Sequence, residues 1–336
     1  MQEYVNIKEF NTFGLSVKSR YFIEIRNLED LNNFRNEVFL KEKTPFLILG
    51  GGSNILFTKD FPGIILKNEL KGISISEGEN DTVLITCASG EVWHELVLFT
   101  ISNNFGGIEN LSLIPGTAGA APIQNIGAYG VELKDSFERL QALDMNSGEI
   151  KTFTKEECKF GYRDSIFKRE LKNRYFIVSI TLRLKKNHQP DITYGAISQL
   201  LKEKNIDIPT IKDVSEAVIQ IRKSKLPDPV EIGNSGSFFK NPVISMEHFE
   251  YLQEKYSEMP SYPAAEGKKI PAGWLIEKCG WKGYKSGNIG VHKKQALVLV
   301  NYGGGQGRDI KILAKKIQNS VKDTFNISLE SEVNII

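Results

Sequence analysis

The sequence predicts an α+β protein, because short strand-like segments and amphipathic helical segments follow one another without a repeat. The feature that stands out is Leu111–Gly130, which runs for 20 residues without a charged side chain in a chain that is 25% charged. A second feature is Gly50–Gly52, which directly follows the short apolar run Pro45–Leu49. Glycine-rich, uncharged segments of this kind are typical of backbone that wraps a large cofactor, since glycine lets other atoms approach closely.

Length and composition exclude several classes of function for this chain. A chain of 336 residues predicts two or three domains. The net charge of +2, without a clustered basic patch, gives no sign of a nucleic-acid or membrane surface. The three cysteines and four histidines show no CxxC or HxxxH spacing, which argues against a disulfide frame or a metal site. With no signal-peptide pattern at the N-terminus, we expect a cytoplasmic protein with reduced thiols.

Hydrophobic periodicity gives the expected elements. Strands are predicted at Arg20–Arg26, Pro45–Leu49, Leu140–Asp144, Ile150–Phe153, Tyr175–Leu184 and Gln295–Val300, with further short strands over Gly63–Ala88. Helices are predicted at Leu28–Phe39, Glu91–Ser102, Asp213–Lys223, Ala272–Lys278 and Ile310–Phe325. The polar segment Lys186–Pro209 is the expected boundary between a cofactor-binding half and a C-terminal half.

Two further segments are predicted near the C-terminus. Gly233–Pro242 mixes glycine, serine, phenylalanine, lysine and asparagine, which fits a rigid polar loop better than a core strand. Ile327–Ile336 is predicted as a last strand whose two faces alternate. Leu329, Ser331, Val333 and Ile335 share one face, and Glu330, Glu332 and Asn334 share the other, which would ordinarily be the solvated side.

The residues alone leave alternatives open. Gly50–Asn54 offers backbone N–H groups for a phosphate, but it has neither the Rossmann nor the Walker A spacing, and glycine triplets also form plain turns. Leu111–Gly130 could also be a buried turn rich in glycine and alanine, although its composition favours the cofactor-binding interpretation. Arg163, between an aromatic residue and an acid, fits a surface salt bridge as well as a functional role.

Taken together and in this order, the motifs resemble one family: the UDP-N-acetylenolpyruvoylglucosamine reductases of bacterial cell-wall synthesis. The resemblance covers nearly the whole chain. The motifs are Asn11–Gly14, Gly50–Asn54, Ile114–Gly130, Gly161–Ser165, Lys225–Pro229, Gly233–Pro242, Ala272–Lys278 with Lys282-Gly283, and Gln295–Val300.

The resemblance implies an α+β fold with a two-subdomain FAD-binding unit of the vanillyl-alcohol oxidase (PCMH) type and a C-terminal α+β substrate-binding domain. The implied domains are 1–70 and 71–205 for the FAD unit and 206–336 for the substrate domain, whose last strand 327–336 returns to the flavin. The implied cofactors are non-covalent FAD and NADPH. The implied protein is a cytoplasmic monomer that binds neither nucleic acid nor membrane and supports peptidoglycan synthesis, cell shape and cell division.

The family's chemistry implies roles for three residues. NADPH gives a hydride to the flavin, which passes it to C3 of the enolpyruvyl ether of UDP-N-acetylglucosamine enolpyruvate, forming UDP-N-acetylmuramate. Ser237 would supply the proton at C2. Arg163 would hold the substrate carboxylate and the charge that develops on it. Glu332 would lie beside the same enolate as an acid or hydrogen-bond partner, which requires a raised pKa.

The resemblance also assigns contacts to two sets of residues. Those expected to bind the substrate, with Tyr194 on a loop that folds over it, are Tyr162, Tyr194, Lys225, Asn241, Tyr262, Lys282 and Gln295. Those expected to bind FAD, in two cradles near the two ends of the ligand, are Gly50, Gly51, Gly52, Ser53, Asn54, Ile114, Pro115, Gly116, Gln124, Asn125, Gly127, Ala128 and Tyr129. No metal ligand is expected.

Three positions depart from the family pattern. Ser235 stands where the family usually has alanine, Ser331 replaces a proline between the two glutamates, and Asn334 lies at a position that is often basic. None of them removes a group that the chemistry needs. The alternatives considered are an FAD-dependent sugar or alcohol oxidase of the same fold and a nucleotide-binding module without catalysis. Such oxidases often tether FAD through a histidine or cysteine, and neither cradle contains a histidine.

Overall fold

The computed structural model describes residues 1–41 and 44–336, and its chain forms two compact units. The first unit comprises Met1–Val5, Ser19–Gly51 and Pro62–Ser224. The second comprises Asn6–Lys18, Gly52–Phe61 and Lys225–Ile336. The division into domains 1–70, 71–205 and 206–336 stays a prediction.

The strands are short, and most lie in small sheets. In the first two thirds of the chain they are β1 (Gln2–Asn6), β2 (Lys18–Ile25), β3 (Phe46–Leu49), β4 (Ile55–Leu56), β5 (Phe61–Asn68), β6 (Ile73–Glu77), β7 (Thr82–Ala88), β8 (Gly127–Ala128), β9 (Val131–Glu132), β10 (Phe137–Asp144), β11 (Ile150–Thr154) and β12 (Tyr175–Lys185). The remainder are β13 (Gly233–Ser237), β14 (Val243–Ile244), β15 (Tyr262–Ala264), β16 (Gly267–Lys269), β17 (Lys285–Ser286), β18 (Ile289–Val291), β19 (Val298–Asn301) and β20 (Asn334–Ile335).

The helices match the apolar periodicity of the sequence. They are α1 (Leu28–Phe34), α2 (Trp93–Ser102), α3 (Leu133–Ser136), α4 (Gly195–Glu203), α5 (Ile211–Lys225), α6 (Met246–Lys255), α7 (Ala272–Lys278) and α8 (Gly307–Phe325). The predicted helix Leu28–Phe39 is confirmed, although its second half, Arg35–Phe39, winds as a π-helix.

The first unit contains two larger sheets, besides the two-stranded pair β8-β9. One has the order β1-β2-β5-β3, with β3 parallel to β5, and the other is antiparallel with the order β11-β10-β12-β7-β6. The predicted hairpin around Asn146-Ser147-Gly148 is confirmed, since β10 and β11 pair across it. The predicted strand Pro45–Leu49 is present as β3, but only its last residue, Leu49, is buried.

The second unit is built on an antiparallel sheet and the long helix α8. The sheet has the order β13-β19-β18-β17, and a smaller sheet has the order β14-β16-β15. One core cluster joins α7 and α8, through Leu275, Ile276, Leu313 and Ile317, to Phe238 and Phe239, which directly follow β13. The predicted helices Ala272–Lys278 and Ile310–Phe325 are confirmed as α7 and α8.

Two predictions about this unit are wrong. Gly233–Pro242 begins as strand β13, which pairs with β19 at Gly233, Asn234 and Ser237, because backbone pairing does not depend on the polarity of the side chains. The predicted strand Ile327–Ile336 is a strand only at Asn334–Ile335. Its extended backbone changes partner: the carbonyl of Glu330 accepts from the N–H of Lys240, whereas the N–H of Asn334 donates to the carbonyl of Asn54. No single neighbouring strand runs along it.

Within the described residues, no helix has both the length and the apolar character needed to span a membrane. The same part of the chain holds no cluster of three or more histidine, cysteine, aspartate or glutamate side chains able to bind a metal ion.

Candidate active site

The two glycine-rich segments of the sequence meet in the first unit. A Cβ at Gly50 would overlap the hydroxyl of Thr117, and a Cβ at Gly51 would lie 2.9 Å from the Cα of Gly116. Glycine is therefore required at both positions by the packing of the two segments against each other. The two expected cradles thus adjoin at Gly116-Thr117 rather than lying wholly apart.

The hydroxyl of Thr117 is buried in this junction, and within residues 1–41 and 44–336 it has no hydrogen-bond partner. A buried polar group without a partner costs on the order of 1–3 kcal/mol unless a ligand or water satisfies it. The Thr117 hydroxyl is therefore a candidate hydrogen-bonding group for a bound cofactor.

Part of the uncharged stretch is packed core rather than ligand surface. Ala118, Ala121 and Asn125 are buried, and a Cβ at Gly119 would overlap Ser89. The amide of Asn125 donates to the Glu132 carboxylate (3.1 Å) and the Gly161 carbonyl (3.0 Å), and it accepts from the N–H of Lys134 (3.0 Å). This side chain is engaged within the protein, so any contact of Asn125 with FAD falls to its backbone.

A tight hairpin presents the end of the stretch. β8 and β9 pair across Tyr129-Gly130, both of which have positive φ (52° and 88°), as a two-residue turn matching the strand twist requires. Nη2 of Arg163 donates to the carbonyl of Gly127 at 2.5 Å, which ties the proposed carboxylate-binding residue to the same hairpin.

Arg163 itself has a left-handed backbone, with φ of 53°. For a bulky side chain this conformation is uncommon and clusters at functional sites. Its guanidinium lies 5.3 Å from the ring centroid of Tyr162, and its neighbour Asp164 forms an ion pair with Arg169 at 3.0 Å.

Tyr129 connects the hairpin to two further side chains. Its ring packs edge-on against the ring of Tyr194 (5.1 Å between centroids), so the predicted substrate-covering tyrosine rests on the predicted flavin cradle. Burial raises the pKa of Tyr129 against the opposing charge of the neighbouring Arg222. The amide of Asn110 donates to the carbonyl of Tyr129 (3.1 Å) and to that of Asp191 (2.9 Å), which precedes Tyr194.

Sequence reasoning missed two residues that hold the start of the stretch. Leu113 has a left-handed backbone (φ 57°); its N–H donates to Nδ1 of His94 at 3.0 Å, and its carbonyl accepts from Nε of Arg222 at 3.2 Å. His94 and Arg222 therefore fix the peptide groups directly before Ile114-Pro115. In the sequence both lie on amphipathic helices and give no signal of this role.

In the second unit, the C-terminal segment makes backbone contacts with the residues that directly follow Ser237. The N–H of Glu332 donates to the carbonyl of Phe238 at 2.9 Å, and Ser331 forms a β-bridge with Phe239. Glu330 is 76% exposed and pairs with Lys240 at 3.3 Å. Glu332 is half-buried, so despite the serine at 331 it is the glutamate that lies toward the Ser237 segment.

Asn54 anchors the same C-terminal segment. Its side chain donates to the carbonyl of Glu332 (3.3 Å), and its own carbonyl accepts from the side-chain amide of Asn334 (3.0 Å). The non-basic residue at 334 is thus bound to the first predicted cradle.

The remaining predicted substrate residues of this unit fall into separate groups. Asn241 accepts from the N–H of Ala272 (2.9 Å), and the Gln295 side-chain oxygen lies 3.0 Å from where a Cβ of Gly273 would stand. These two residues therefore converge on the first turn of α7. Lys282 pairs with Glu277 (2.9 Å), and the exposed Tyr262 lies on β15.

Comparisons with known proteins accord with this architecture. Residues 20–154 match the FAD binding domain family, and residues 228–336 match the C-terminal domain of UDP-N-acetylenolpyruvoylglucosamine reductase. The chain is 49% identical over 338 residues to the UDP-N-acetylenolpyruvoylglucosamine reductase of Flavobacterium johnsoniae, covering 100% of this chain and 99% of the relative. The chain belongs to the UDP-N-acetylenolpyruvoylglucosamine reductase family.

Other relatives agree. The reductase of Amoebophilus asiaticus is 48% identical, with 100% of this chain and 99% of the relative covered, and that of Pseudomonas aeruginosa is 44% identical, with 100% and 98% covered. The crystal structure of the Thermus caldophilus reductase shares the fold, with a TM-score of 0.68 at 20% identity over 98% of this chain and 97% of that one. The predicted family, the FAD-binding fold and the FAD cofactor are confirmed.

Proposed function

We propose that this chain reduces the enolpyruvyl ether of UDP-N-acetylglucosamine enolpyruvate to UDP-N-acetylmuramate with NADPH, as its reductase family does. FAD, when bound, accepts a hydride from NADPH and delivers it to C3 of the enolpyruvyl group. The assignment of catalytic roles to residues rests on one observation. The N–H of Glu332 donates to the carbonyl of Phe238, which directly follows Ser237. The predicted reductase function is that of the family, and the oxidase alternative is not favoured, because the full-length relatives bear the reductase name.

Backbone groups near Gly50-Gly51 and Gly116-Thr117, with the Thr117 hydroxyl, would hold the FAD. The orphaned hydroxyl supports this role, since it gains a partner only from a bound group or water. The other predicted FAD residues, from Gly52 to Asn54 and from Ile114 to Tyr129, remain proposed contacts, with Asn125 acting through its backbone.

Arg163 would bind the carboxylate of the substrate. A guanidinium offers a planar pair of donors that matches a carboxylate, and its charge stabilises the negative charge that accumulates there as hydride reaches C3. One nitrogen, Nη2, is already bound to the Gly127 carbonyl, which restricts the rotation of the group before substrate arrives.

Ser237 would then protonate C2. Hydride addition at C3 pushes the double-bond electrons toward the carboxylate; they return to form the C2–H bond as Ser237 Oγ gives up its proton, and the alkoxide is reprotonated from water. The side chain of Ser237 is exposed, so solvent can reach it. Glu332 would hydrogen-bond to the same enolate in its protonated form.

The UDP moiety and sugar would contact Tyr162, Tyr194, Lys225, Asn241, Tyr262, Lys282 and Gln295. Lys225 and Lys282 suit the two phosphates, and Tyr194 would move from the ring of Tyr129 onto the substrate. We further propose that NADPH and the UDP-sugar use the same site in turn, and that the protein is a cytoplasmic monomer serving peptidoglycan synthesis.

Ser237→Ala tests this assignment. Single-turnover formation of the reduced UDP-sugar should fall about 10²–10⁴-fold, the usual contribution of a general acid. Bleaching of the flavin absorbance by NADPH should continue at the wild-type rate, because that step needs no proton at C2. Unchanged product formation in the variant would show that another group supplies the proton.

A further inference from the structure

The strand that carries Ser237 contains a β-bulge immediately before it. Asn234 is the partner of Val300, whereas Ser237 is the partner of Val298, so β13 has one more residue than β19 between these pairs. Gly236, within the bulge, has φ of 68° and no atom within 4 Å of where its Cβ would stand. The backbone conformation therefore favours glycine there, although space is available for a side chain, and the bulge re-aims Ser237.

One buried side chain holds the bulge. Asn234 is 2% exposed, and its Oδ1 accepts from the N–H of Gly236 at 2.9 Å. Its Nδ2 donates to the carbonyls of Pro227 (3.1 Å) and Ile232 (2.8 Å), and its backbone N–H donates to the carbonyl of Thr12 (2.9 Å). Both amide hydrogens and the amide oxygen are thus used within the protein.

All three side-chain partners lie within seven residues of Asn234, and they connect the Lys225 segment to the bulge. Pro227 follows Lys225, a proposed phosphate contact, and Gly236 precedes Ser237, the proposed proton donor. Because the amide is buried and fully bonded, it is unsuited to binding substrate directly. It fixes the distance between the Lys225 segment and the bulge, and rigid support of this kind decides how well a reacting group is aligned.

We propose that Asn234 is a positioning residue for proton transfer: through the Gly236 N–H and the Pro227 carbonyl, it holds Ser237 in register with the segment that binds the diphosphate. The proposal rests on the assignment of Ser237 as the proton donor to C2. It concerns no group that touches the substrate.

Asn234→Ala removes all three side-chain bonds. Single-turnover formation of the reduced UDP-sugar, followed by rapid quench in H₂O and D₂O, should slow about 10²-fold, the effect of a misplacement of roughly 1 Å. The solvent isotope effect should rise, because proton delivery becomes limiting, while bleaching by NADPH stays at the wild-type rate. Hydrogen exchange of the Gly236 amide, measured without NADPH or substrate, should accelerate.

Asn301→Ala is the matched control. Asn301 is also buried (3% exposed), lies on the adjacent strand, donates to the Phe13 carbonyl (2.8 Å) and accepts from the N–H groups of Gly303 and Gly305 (3.0 Å each). It should lower thermal stability without raising the isotope effect. Gly236→Ala strains the bulge, but its Cβ meets no neighbouring atom, so this variant should reproduce the kinetics of Asn234→Ala. If Asn234→Ala does not fold, Gly236→Ala tests the positioning role in its place.

Wild-type product formation in the folded variants, or an equal slowing of NADPH bleaching, would overturn the positioning role. Loss of activity in Ser237→Ala alongside normal Asn234→Ala kinetics would overturn the positioning role alone. Wild-type kinetics in Ser237→Ala would instead overturn the proton-donor assignment, together with the role that rests on it.

Discussion

The backbone of Gly50 lies so close to the side chain of Thr117 that any Cβ at position 50 would overlap the Thr117 hydroxyl. That hydroxyl is buried and has no hydrogen-bond partner among the residues that the structure describes. The family binds FAD, and the two residues come from the two segments that its sequence motifs assign to the cofactor. The contact thus joins the FAD-binding motifs and leaves one polar group for the ligand.

Thr117→Val should weaken FAD binding without harming the fold. Valine keeps the shape and removes the hydroxyl, so the loss should be that of one hydrogen bond, about 0.5–1.5 kcal/mol, or up to about tenfold in Kd. The apoprotein should be at least as stable as wild type, since an unsatisfied group is removed. Fluorescence titration of apoprotein with FAD checks the first claim and urea denaturation checks the second; unchanged FAD affinity would exclude the contact.

Glu332→Ala and Glu330→Ala should separate the two glutamates. Loss of the acidic group at 332 should slow product formation about 10²-fold, the scale of one lost catalytic hydrogen bond. Glu330 is exposed and forms a surface pair with Lys240, an interaction worth about 0–1 kcal/mol, so its variant should keep nearly full activity. Steady-state kcat with saturating UDP-sugar distinguishes them, and the reverse order of effects would move the assignment to Glu330.

His94 should make the start of the flavin cradle sensitive to acid. Burial, followed by the charges of Arg222 and Lys223, lowers the pKa of His94 from 6.5 against the opposing effect of Glu95. The folded state therefore binds fewer protons than the unfolded state, so this contribution to stability is complete above pH 6.5 and is lost as pH falls through the folded pKa. Protonation also removes the acceptor of the Leu113 N–H.

His94→Gln tests this dependence, because an amide oxygen can accept the same bond without titrating. Urea denaturation between pH 7.5 and 5 should show a smaller loss of stability on acidification in the variant than in wild type. His292, whose pKa is also lowered by burial, is present in both proteins and cancels in the comparison. Identical pH profiles would rule out His94 as the source.

Ser235→Ala should be neutral or stabilising. The hydroxyl of Ser235 is buried in the bulge without a partner, and leaving such a group unsatisfied costs about 1–3 kcal/mol. Thermal and urea denaturation of the two proteins measure the change. A destabilised variant would mean that the hydroxyl has a partner in solution, such as a buried water molecule.

The parts of the fold governed by periodicity were predictable. The helices α7 and α8 and the hairpin around Asn146-Ser147-Gly148 follow from local apolar spacing and turn residues. Strand Gly233–Ser237 was not predictable. Its pairing with β19 depends on residues more than 60 positions away, and its composition has no strand signal. The predicted C-terminal strand was too long. Alternation of apolar and polar residues does not reveal that the backbone changes its hydrogen-bonding partner along the segment.

The candidate site divides in the same way. Ser237, Arg163 and Glu332 were found through motifs that carry chemical groups. His94 and Arg222 were not, since each bonds a backbone group that only the folded chain brings near. Asn234 bonds the nearby residues Pro227, Ile232 and Gly236, but its sequence gives no sign of the bulge that these bonds hold. The glycines at 50 and 51 were noticed, but their contact with Gly116-Thr117 joins segments that are distant in sequence.

The most direct test of the central claim is an anaerobic spectral titration of the purified holoenzyme. The flavin absorbance should bleach when NADPH is added and should return when UDP-N-acetylglucosamine enolpyruvate follows, with stoichiometric UDP-N-acetylmuramate formed. Return of the absorbance with oxygen but not with the UDP-sugar would contradict the reductase and indicate an oxidase. A protein that neither contains nor takes up FAD would contradict the account of the Gly50 and Thr117 segments.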